Sequence, residues 1–178
     1  VTLLFSREHY LSAAEAYLRG IERRIEAGLD PKITSVASLF VSRRDVGVKQ
    51  EVAPVLHNRL GIAIAMRTYE AYRDLLASPR WRKLADAGAR AQRLLWASTG
   101  TKDPAAPDTL YVQALAAPDT ITTLTEKTFQ AFANHDHVNA ALRADGGYAE
   151  RVTEEFWREG VDDTALAARL QREGADAF

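Results

Sequence analysis

The chain has 178 residues, of which 47% are hydrophobic and 26% are charged, and its formal net charge is −1. This composition is typical of one globular domain, and the near-neutral charge argues against nucleic-acid binding or polybasic membrane binding. The absence of cysteine excludes disulfides, thiolate metal sites and a cysteine nucleophile, and it is compatible with a cytoplasmic protein. No apolar run approaches the roughly 20 residues of a membrane span, so we expect no membrane partner.

The first predicted unit is a strand followed by an amphipathic helix. Residues 1–5 are apolar and rich in β-formers, and Ser6 stands where a helix N-cap is expected. Apolar residues then recur at steps of three and four to about residue 27, with charged residues on the other face. A glycine and an Asp-Pro pair end this helix and turn the chain.

The second unit is a predicted strand over residues 33–41 that ends in a basic pair. Ser38, in the middle of this strand, suits a side chain that points into a pocket. Arg43 carries a guanidinium group, which can clamp a phosphate with two parallel hydrogen bonds. The alternative interpretation is a half-buried serine and a surface pair formed by Arg44 and Asp45.

The third predicted strand, residues 94–97, ends abruptly in a polar loop. In parallel α/β folds, ligands bind at the carboxyl ends of strands. Ser98 and the threonines after it supply hydrogen-bond donors, Gly100 lets the backbone approach a ligand closely, and Lys102 supplies positive charge. This chemistry suits a phosphorylated metabolite. The alternative is an ordinary strand-to-helix connection in which Pro104 opens a helix.

The complete order of elements predicts an α/β fold with a parallel sheet and right-handed crossovers. The predicted units fit either an open doubly wound sheet or half of an eight-stranded barrel. The half-barrel is favoured because no glycine-rich dinucleotide or Walker pattern is present. The other predicted elements are helices over residues 51–76, 80–87, 126–133, 149–159 and 163–175, a short helix or loop over 104–115, and a strand over 120–124.

Three stretches together resemble transaldolase. Residues 1–6 (VTLLFS), 35–43 (SVASLFVSR) and 95–102 (LWASTGTK) are similar, in this order, to bacterial transaldolases that occur alone or fused to glucose-6-phosphate isomerase. The resemblance implies a (β/α)8 TIM barrel of the class I aldolase type, of which this chain is the C-terminal half, about strands 5 to 8. We expect residues 1–134 to form this half-barrel and residues 135–178 to form a C-terminal helical extension that packs on it.

The resemblance also implies an activity. A transaldolase transfers a dihydroxyacetone unit from sedoheptulose 7-phosphate to glyceraldehyde 3-phosphate, in the pentose phosphate pathway, through a Schiff base on a lysine and without a cofactor. In the family that lysine lies one strand earlier, so we expect it upstream of Val1 and expect this fragment alone to be inactive. The implied partners are sugar phosphates and the missing N-terminal half of the barrel. A second copy of the chain is a further candidate, because half a barrel leaves unpaired edges.

Matching positions imply roles for individual residues. Thr2 matches a threonine near the catalytic water, and Arg43 matches a phosphate-binding arginine. The second phosphate-binding arginine of other transaldolases has no arginine counterpart here, and Lys102 is its predicted replacement. The further implied substrate contacts are Ser38, Phe40 and Ser98.

Two alternatives remain open. Lys102 lies at a strand end beside hydroxyl groups, so it is a candidate Schiff-base lysine for a differently arranged sugar-phosphate aldolase. The half-barrel is also compatible with a non-catalytic interaction module, since the family's lysine would be missing.

His135 and His137 flank Asp136 in a polar segment, but no third ligand has a suitable spacing, so we predict no metal site.

Overall fold

The structure is a computed structural model that describes residues 1–135, 138 and 140–177. Helices alternate with parallel strands, as the sequence predicts. The strands are β1 (Ser35–Phe40), β2 (Gln92–Ala97) and β3 (Ile121–Thr122), and a 3-10 turn covers Pro54–Leu56. The helices are α1 (Arg7–Glu26), α2 (Ser42–Val48), α3 (Leu60–Ala77), α4 (Pro79–Asp86), α5 (Leu110–Ala114), α6 (Glu126–His135), α7 (Ala149–Arg158) and α8 (Asp163–Asp176).

The sheet is parallel, and its strand order follows the chain. β1 pairs with β2, β2 pairs with β3, and a parallel bridge between Leu4 and Leu39 adds the N-terminal segment beside β1. The order therefore shows no reversal, whereas a doubly wound sheet reverses at its switch point. As a result, the carboxyl ends of all these segments lie side by side along one edge.

The two faces of the sheet differ in burial. Ala37 and Leu39 of β1 and Leu94 and Trp96 of β2 are fully buried, and they join one apolar core with residues of α1 and α3. Side chains alternate along a strand, so their neighbours in sequence point to the opposite face. That second face is half-buried or exposed at most positions described. Its paired positions are Val36 and Arg93, Ser38 and Leu95, and Phe40 and Ala97.

Helix α3 is the centre of the helical layer. Its first turns, from Leu60 to Met66, are buried on every side, which is typical of a helix enclosed by other elements. It packs against α1, α2, α4 and α7. Phe156 of α7 and Leu166 of α8 belong to the same core as the sheet, so the two last helices pack on the strand-bearing part. The predicted boundary between residues 134 and 135 stays a prediction.

The predicted cap at Ser6 is confirmed, and two further helices begin in the same way. The Ser6 hydroxyl accepts a hydrogen bond from the His9 amide at 3.1 Å and begins α1. Ser78 does the same for the Trp81 amide at 3.1 Å and begins α4. Asp162 caps α8 by accepting from the Ala165 amide at 2.9 Å. These caps could be read from sequence because the cap and its partner are three residues apart.

Other predictions differ from the structure. The predicted N-terminal strand is reduced to the bridge at Leu4. The long helix predicted from residue 51 begins at Leu60 instead, because a 3-10 turn and the left-handed Asn58, with φ of 62°, interrupt the chain before it. Arg44 and Asp45 lie in the unpredicted helix α2 and are buried, so the interpretation of them as a surface pair is wrong.

Helix α7 buries one face. Val152 and Phe156 are buried, whereas Trp157 is 74% exposed. None of the helices in the described part of the chain has both the length and the apolar character needed to cross a bilayer.

Candidate functional site

The residues that follow β1, β2 and β3 meet at the carboxyl edge of the sheet. We call residues 41–43, 98–102 and 123–125 the rim. The Ser42 amide donates to the Ser98 carbonyl at 3.1 Å, and the two hydroxyl oxygens lie 2.9 Å apart in a hydrogen bond. The Thr99 hydroxyl donates to the Thr123 carbonyl at 2.6 Å. The rim is therefore one connected polar surface rather than separate loops.

Ser98 has an unusual backbone conformation. Its φ of 56° places it in the left-handed region, which residues other than glycine rarely adopt. Such a conformation costs on the order of 1 kcal/mol and persists only where surrounding contacts hold it. Both hydrogen bonds to Ser42 serve this purpose. Strained residues of this kind cluster at functional sites, which supports the choice of Ser98 as a site residue.

Arg43 lies against an aromatic pair. The centre of its guanidinium group is 5.2 Å from the centroid of the Phe40 ring, within the range of a cation–π contact. The Phe40 ring is in turn 5.4 Å from the buried Phe5 ring. Arg43 is exposed and forms no ion pair with any residue that the structure describes. Its donors are thus oriented by packing and are available to an anion.

The loop after β2 turns towards the start of α6. A Cβ built on Gly100 would lie 3.6 Å from the Thr128 hydroxyl and 3.8 Å from the Lys102 ammonium nitrogen. The Lys102 side chain therefore folds back over Gly100, near the helix start where the Thr125 hydroxyl accepts from the Thr128 amide at 3.2 Å. Lys102 is exposed. Within residues 1–135, 138 and 140–177, no residue forms hydrogen bonds with both Lys102 and Arg43. That these two cations act together on a substrate phosphate stays a prediction.

Thr2 and Ser38 are brought together beside the rim. The Ser38 amide donates to the Val1 carbonyl at 3.0 Å, and the Leu4 amide donates to the Ser38 carbonyl at 3.2 Å. Two residues, Thr2 and Leu3, therefore lie opposite one, which is the arrangement of a β-bulge. Leu3 has a positive φ of 58°, in keeping with this irregular pairing. Thr2 is exposed and Ser38 is half-buried.

Asp45 is a residue near the rim that sequence reasoning missed. Its carboxylate is 5% exposed and accepts from the Leu60 amide at 2.9 Å, from the Gly61 amide at 3.2 Å and from the Tyr111 hydroxyl at 2.8 Å. Burial raises the pKa of Asp45 to about 6, although all of these hydrogen bonds favour the charged form. Burial also raises the pKa of the Tyr111 phenol, and the neighbouring Asp45 charge adds to this effect.

Gly61 was the one feature of the sequence that could have indicated the buried position of Asp45. A Cβ at this position would lie 2.6 Å from an Asp45 carboxylate oxygen and 2.6 Å from the Val41 carbonyl. A glycine just inside a strongly apolar helix indicates that another group approaches the backbone closely. The sequence does not say which group, since the partner comes from a different element.

Arg44 connects the first described residues with the last helix. Its buried guanidinium group donates to the Phe5 carbonyl and forms an ion pair with Asp163 of α8. Burial lowers the pKa of Arg44 to about 10. Arg44 therefore differs from its neighbour Arg43, because its charge is already satisfied within the fold.

A second acidic residue, Asp103, connects a rim loop to a segment outside the rim. The Asp103 carboxylate, just after Lys102, accepts from the Asn58 side-chain amide at 2.9 Å and lies 3.4 Å from the Lys49 ammonium nitrogen. The side chains of Asn58 and Lys49 hold the pKa of Asp103 below its usual value. The loop after β2 is thus attached to the segment between α2 and α3.

No group of three or more His, Asp or Glu side chains within the described residues is arranged to hold a metal ion. Of the polar segment considered above, Asp136 and His137 lie outside the described residues. The candidate site is therefore the hydroxyl-rich and cationic rim.

A sequence model described as "Transaldolase/Fructose-6-phosphate aldolase" matches residues 1–178, the whole chain. The chain belongs to this family. Membership of the transaldolase/fructose-6-phosphate aldolase family confirms the resemblance that the strand ends predicted.

Curated relatives in the family carry the name transaldolase. The chain is 46% identical over 188 residues to transaldolase 1 of Streptomyces avermitilis, 42% over 187 residues to that of Frankia alni and 41% over 187 residues to that of Thermobifida fusca. Each alignment covers 100% of this chain but only 50%, 50% and 51% of the relative, respectively. The chain thus spans about half the length of the curated relatives it matches, and the match is to their C-terminal half. The roles predicted for rim residues of this family member stay predictions.

Proposed function

We propose that this chain forms the sugar-phosphate-binding half of a transaldolase. The enzyme transfers a dihydroxyacetone unit from sedoheptulose 7-phosphate to glyceraldehyde 3-phosphate, in the pentose phosphate pathway and in the cytoplasm. The observation that carries the proposal is the rim itself. In a chain of this family, Arg43 and the Ser42–Ser98 pair lie together at the carboxyl edge of a parallel sheet, where such folds bind ligands.

We assign the sheet to strands 5 to 8 of a (β/α)8 barrel. The unreversed strand order supports a barrel, because neighbours along the chain are neighbours in the sheet. The face of the sheet that bears Ser38 and Leu95 is only half-buried at these positions. This supports the proposal that a further part of the barrel covers it. The N-terminal half of the barrel would cover this face and pair with both sheet edges. Self-association of the chain through the same edges is the competing arrangement.

Within this proposal, the Schiff-base lysine is supplied by the N-terminal half, and this chain binds and orients the substrate. Arg43 holds a substrate phosphate, and Lys102 contributes a second positive charge. Holding the phosphate away from the reacting carbonyl lets binding energy position that carbonyl. Thr2 orients the water that carries protons. The direct substrate contacts of the proposal are Ser38, Phe40 and Ser98.

A Schiff base on Lys102 is the weaker alternative. A Schiff-base lysine needs a lowered ammonium pKa, which comes from desolvation or from a neighbouring cation. The Lys102 side chain is exposed, and its ammonium nitrogen lies 3.8 Å from a Cβ built on Gly100. Borohydride trapping with fructose 6-phosphate, followed by peptide mapping, distinguishes the two, because modification of Lys102 would support the alternative.

The proposed function is tested by assaying this chain alone and joined to an N-terminal transaldolase half, such as that of the Streptomyces avermitilis relative. We expect no sedoheptulose 7-phosphate turnover by the chain alone and measurable turnover by the joined protein. The control is the joined protein without its Schiff-base lysine, which should be inactive. Turnover by the chain alone, or none by a joined protein that circular dichroism shows to be folded, would contradict the proposal.

A further inference from the structure

One buried carboxylate joins three of the helices beside the rim, α2, α3 and α5. Asp45 is in the first turn of α2, two residues after Arg43. Its oxygens accept from two backbone amides at the start of α3 and from the Tyr111 hydroxyl of α5. Asp45 is 5% exposed and Tyr111 is 1% exposed, so water does not compete for these hydrogen bonds.

The Tyr111 hydrogen bond connects two different rim loops. α5, which carries Tyr111, follows the loop of Ser98 and Lys102, whereas Asp45 belongs to the helix that begins with Ser42 and Arg43. The 2.8 Å contact between their side chains therefore joins the helix that follows the loop of Lys102 to the helix that carries Arg43.

The start of α3 makes this junction rigid. The Gly61 backbone lies so close that an added Cβ would be 2.6 Å from an Asp45 carboxylate oxygen, so the carboxylate cannot move further towards α3 if residue 61 carries a side chain. Hydrogen bonds from backbone amides to a carboxylate are stronger than those between neutral groups. Asp45 is therefore held on one side by α3 and holds Tyr111 on the other.

A purely structural role does not require a charge at this position. Burying a carboxylate carries a desolvation cost, and neutral side chains of similar volume often serve stability as well or better. Asp45 forms no ion pair within 4 Å with any described residue, and the positive charge of its neighbour Arg44, which binds Phe5 and Asp163, attracts it only from a longer distance. The arrangement is explained if the position of the loops, rather than stability alone, depends on this carboxylate.

We infer that Asp45, acting through Tyr111, is a positioning residue that sets the geometry of Arg43 relative to the Lys102 loop for binding the substrate phosphate. This inference rests on the proposed function. Asp45 touches no substrate, so its effect is on phosphate affinity. Displacing a binding group by about 1 Å can reduce its contribution greatly, so loosening this junction should weaken phosphate binding roughly fivefold or more.

The test is titration of the full chain with inorganic phosphate, followed by 31P NMR, together with the thermal midpoint of each protein. Tyr111→Phe removes only the hydroxyl that joins the two loops. Asp45→Asn keeps the shape but places an amide donor opposite the Gly61 amide. Both variants should bind phosphate roughly fivefold or more weakly at a temperature well below their midpoints.

Two matched controls separate positioning from stability. Tyr72→Phe removes the hydroxyl of a residue that is as buried as Tyr111; this hydroxyl is partly buried and donates to the Asp119 carbonyl at 3.0 Å, far from the rim. Asp162→Asn makes the same chemical change at the cap of α8. Tyr72→Phe should lower the thermal midpoint, whereas Asp162→Asn should change it little because asparagine also caps helices. Neither control should change phosphate affinity. If Asp45→Asn fails to fold, the difference in phosphate affinity between Tyr111→Phe and Tyr72→Phe decides the test.

The outcomes for the inference and for the proposed function are distinct. If Arg43→Ala loses phosphate binding while Tyr111→Phe binds like the wild type, the inference is wrong and the phosphate site stands. If the wild type binds no phosphate, or Arg43→Ala binds like the wild type, the proposed phosphate site is wrong and the inference falls with it. Equal weakening by Tyr111→Phe and Tyr72→Phe would also overturn the inference.

Discussion

Ser42 and Ser98 are 56 residues apart in sequence, yet their hydroxyl oxygens are 2.9 Å apart at the ends of neighbouring parallel strands. The Ser42 amide also donates to the Ser98 carbonyl, so a backbone and a side-chain contact join the same two residues. This pair holds the strained Ser98 and connects the loops of both predicted cations.

Two substitutions at Ser98 separate backbone strain from the lost hydroxyl. Ser98→Ala and Ser98→Gly both remove the side-chain hydrogen bond to Ser42 and keep the backbone one, but only glycine relieves the φ of 56°. We expect the glycine variant to be more stable than the alanine variant by about 1 kcal/mol in urea denaturation. At the extended position Ser38 the order should reverse, with alanine the more stable. The same order at both positions would show that Ser98 is not strained.

Arg43→Ala should weaken substrate binding in the joined, active protein. A charge-assisted contact contributes about 1.5 to 3 kcal/mol, so KM for sedoheptulose 7-phosphate should rise roughly tenfold or more. Arg43→Lys keeps the charge but not the planar fork, and it should have an intermediate KM. Arg90→Ala is the control, because Arg90 contacts Thr34 at the opposite end of the sheet. An unchanged KM for Arg43→Ala would remove this residue from the site.

Gly61→Ala should be strongly destabilising. The added Cβ would lie 2.6 Å from the Asp45 carboxylate and from the Val41 carbonyl, so helix α3 would have to move. We expect a loss of about 2 to 3 kcal/mol in the free energy of unfolding, typical of overpacking. Gly20→Ala in α1 is the matched control. A Cβ there meets nothing within 4 Å, and the change should stabilise the helix by about 0.5 to 1 kcal/mol.

Stability should depend on pH through Asp45. Burial raises its pKa from 3.8 to about 6, so the folded protein binds the proton more tightly than the unfolded chain. The stabilisation from this proton is complete below about pH 4 and is lost as the pH rises through about 6, a difference of about 3 kcal/mol. The groups that face the carboxylate are Tyr111, the amides of Leu60 and Gly61, and the neighbouring Arg44.

The measurement for this prediction is the difference in unfolding free energy between the wild type and Asp45→Asn from pH 4 to 7. Asparagine does not titrate, so the difference isolates Asp45 from the other carboxylates. We expect the wild type to lose stability relative to the variant as the pH rises. A constant difference across this range would show that the pKa of Asp45 is not raised.

The sequence allowed prediction of features that depend on local contacts. The N-cap Ser6 and the apolar stripe of α1 were visible because capping and helical periodicity join residues a few positions apart. The rim was visible as polar loops that end apolar runs. Asp45 was not visible, because its partners Leu60 and Tyr111 are 15 and 66 residues away. Its burial depends on tertiary packing that no local pattern records.

The N-terminal strand shows the same limit in a different way. Residues 1–5 have the composition of a strand, but Thr2 and Leu3 together face Ser38, and this bulge breaks the regular ladder. Composition predicts that a segment is extended. The register with a neighbour depends on contacts from other elements, such as the Gln171 side-chain amide that donates to the Leu3 carbonyl at 3.0 Å.

The pairing of Arg44 with Asp163 has a consequence for refolding. Arg44 binds the Phe5 carbonyl, but its charge is balanced by a residue of α8 that lies 119 positions further along the chain. An enclosed guanidinium group without its counter-charge is strongly unfavourable. The segment around Phe5 and helix α8 should therefore become ordered in the same kinetic step, so hydrogen exchange during refolding should protect both segments together.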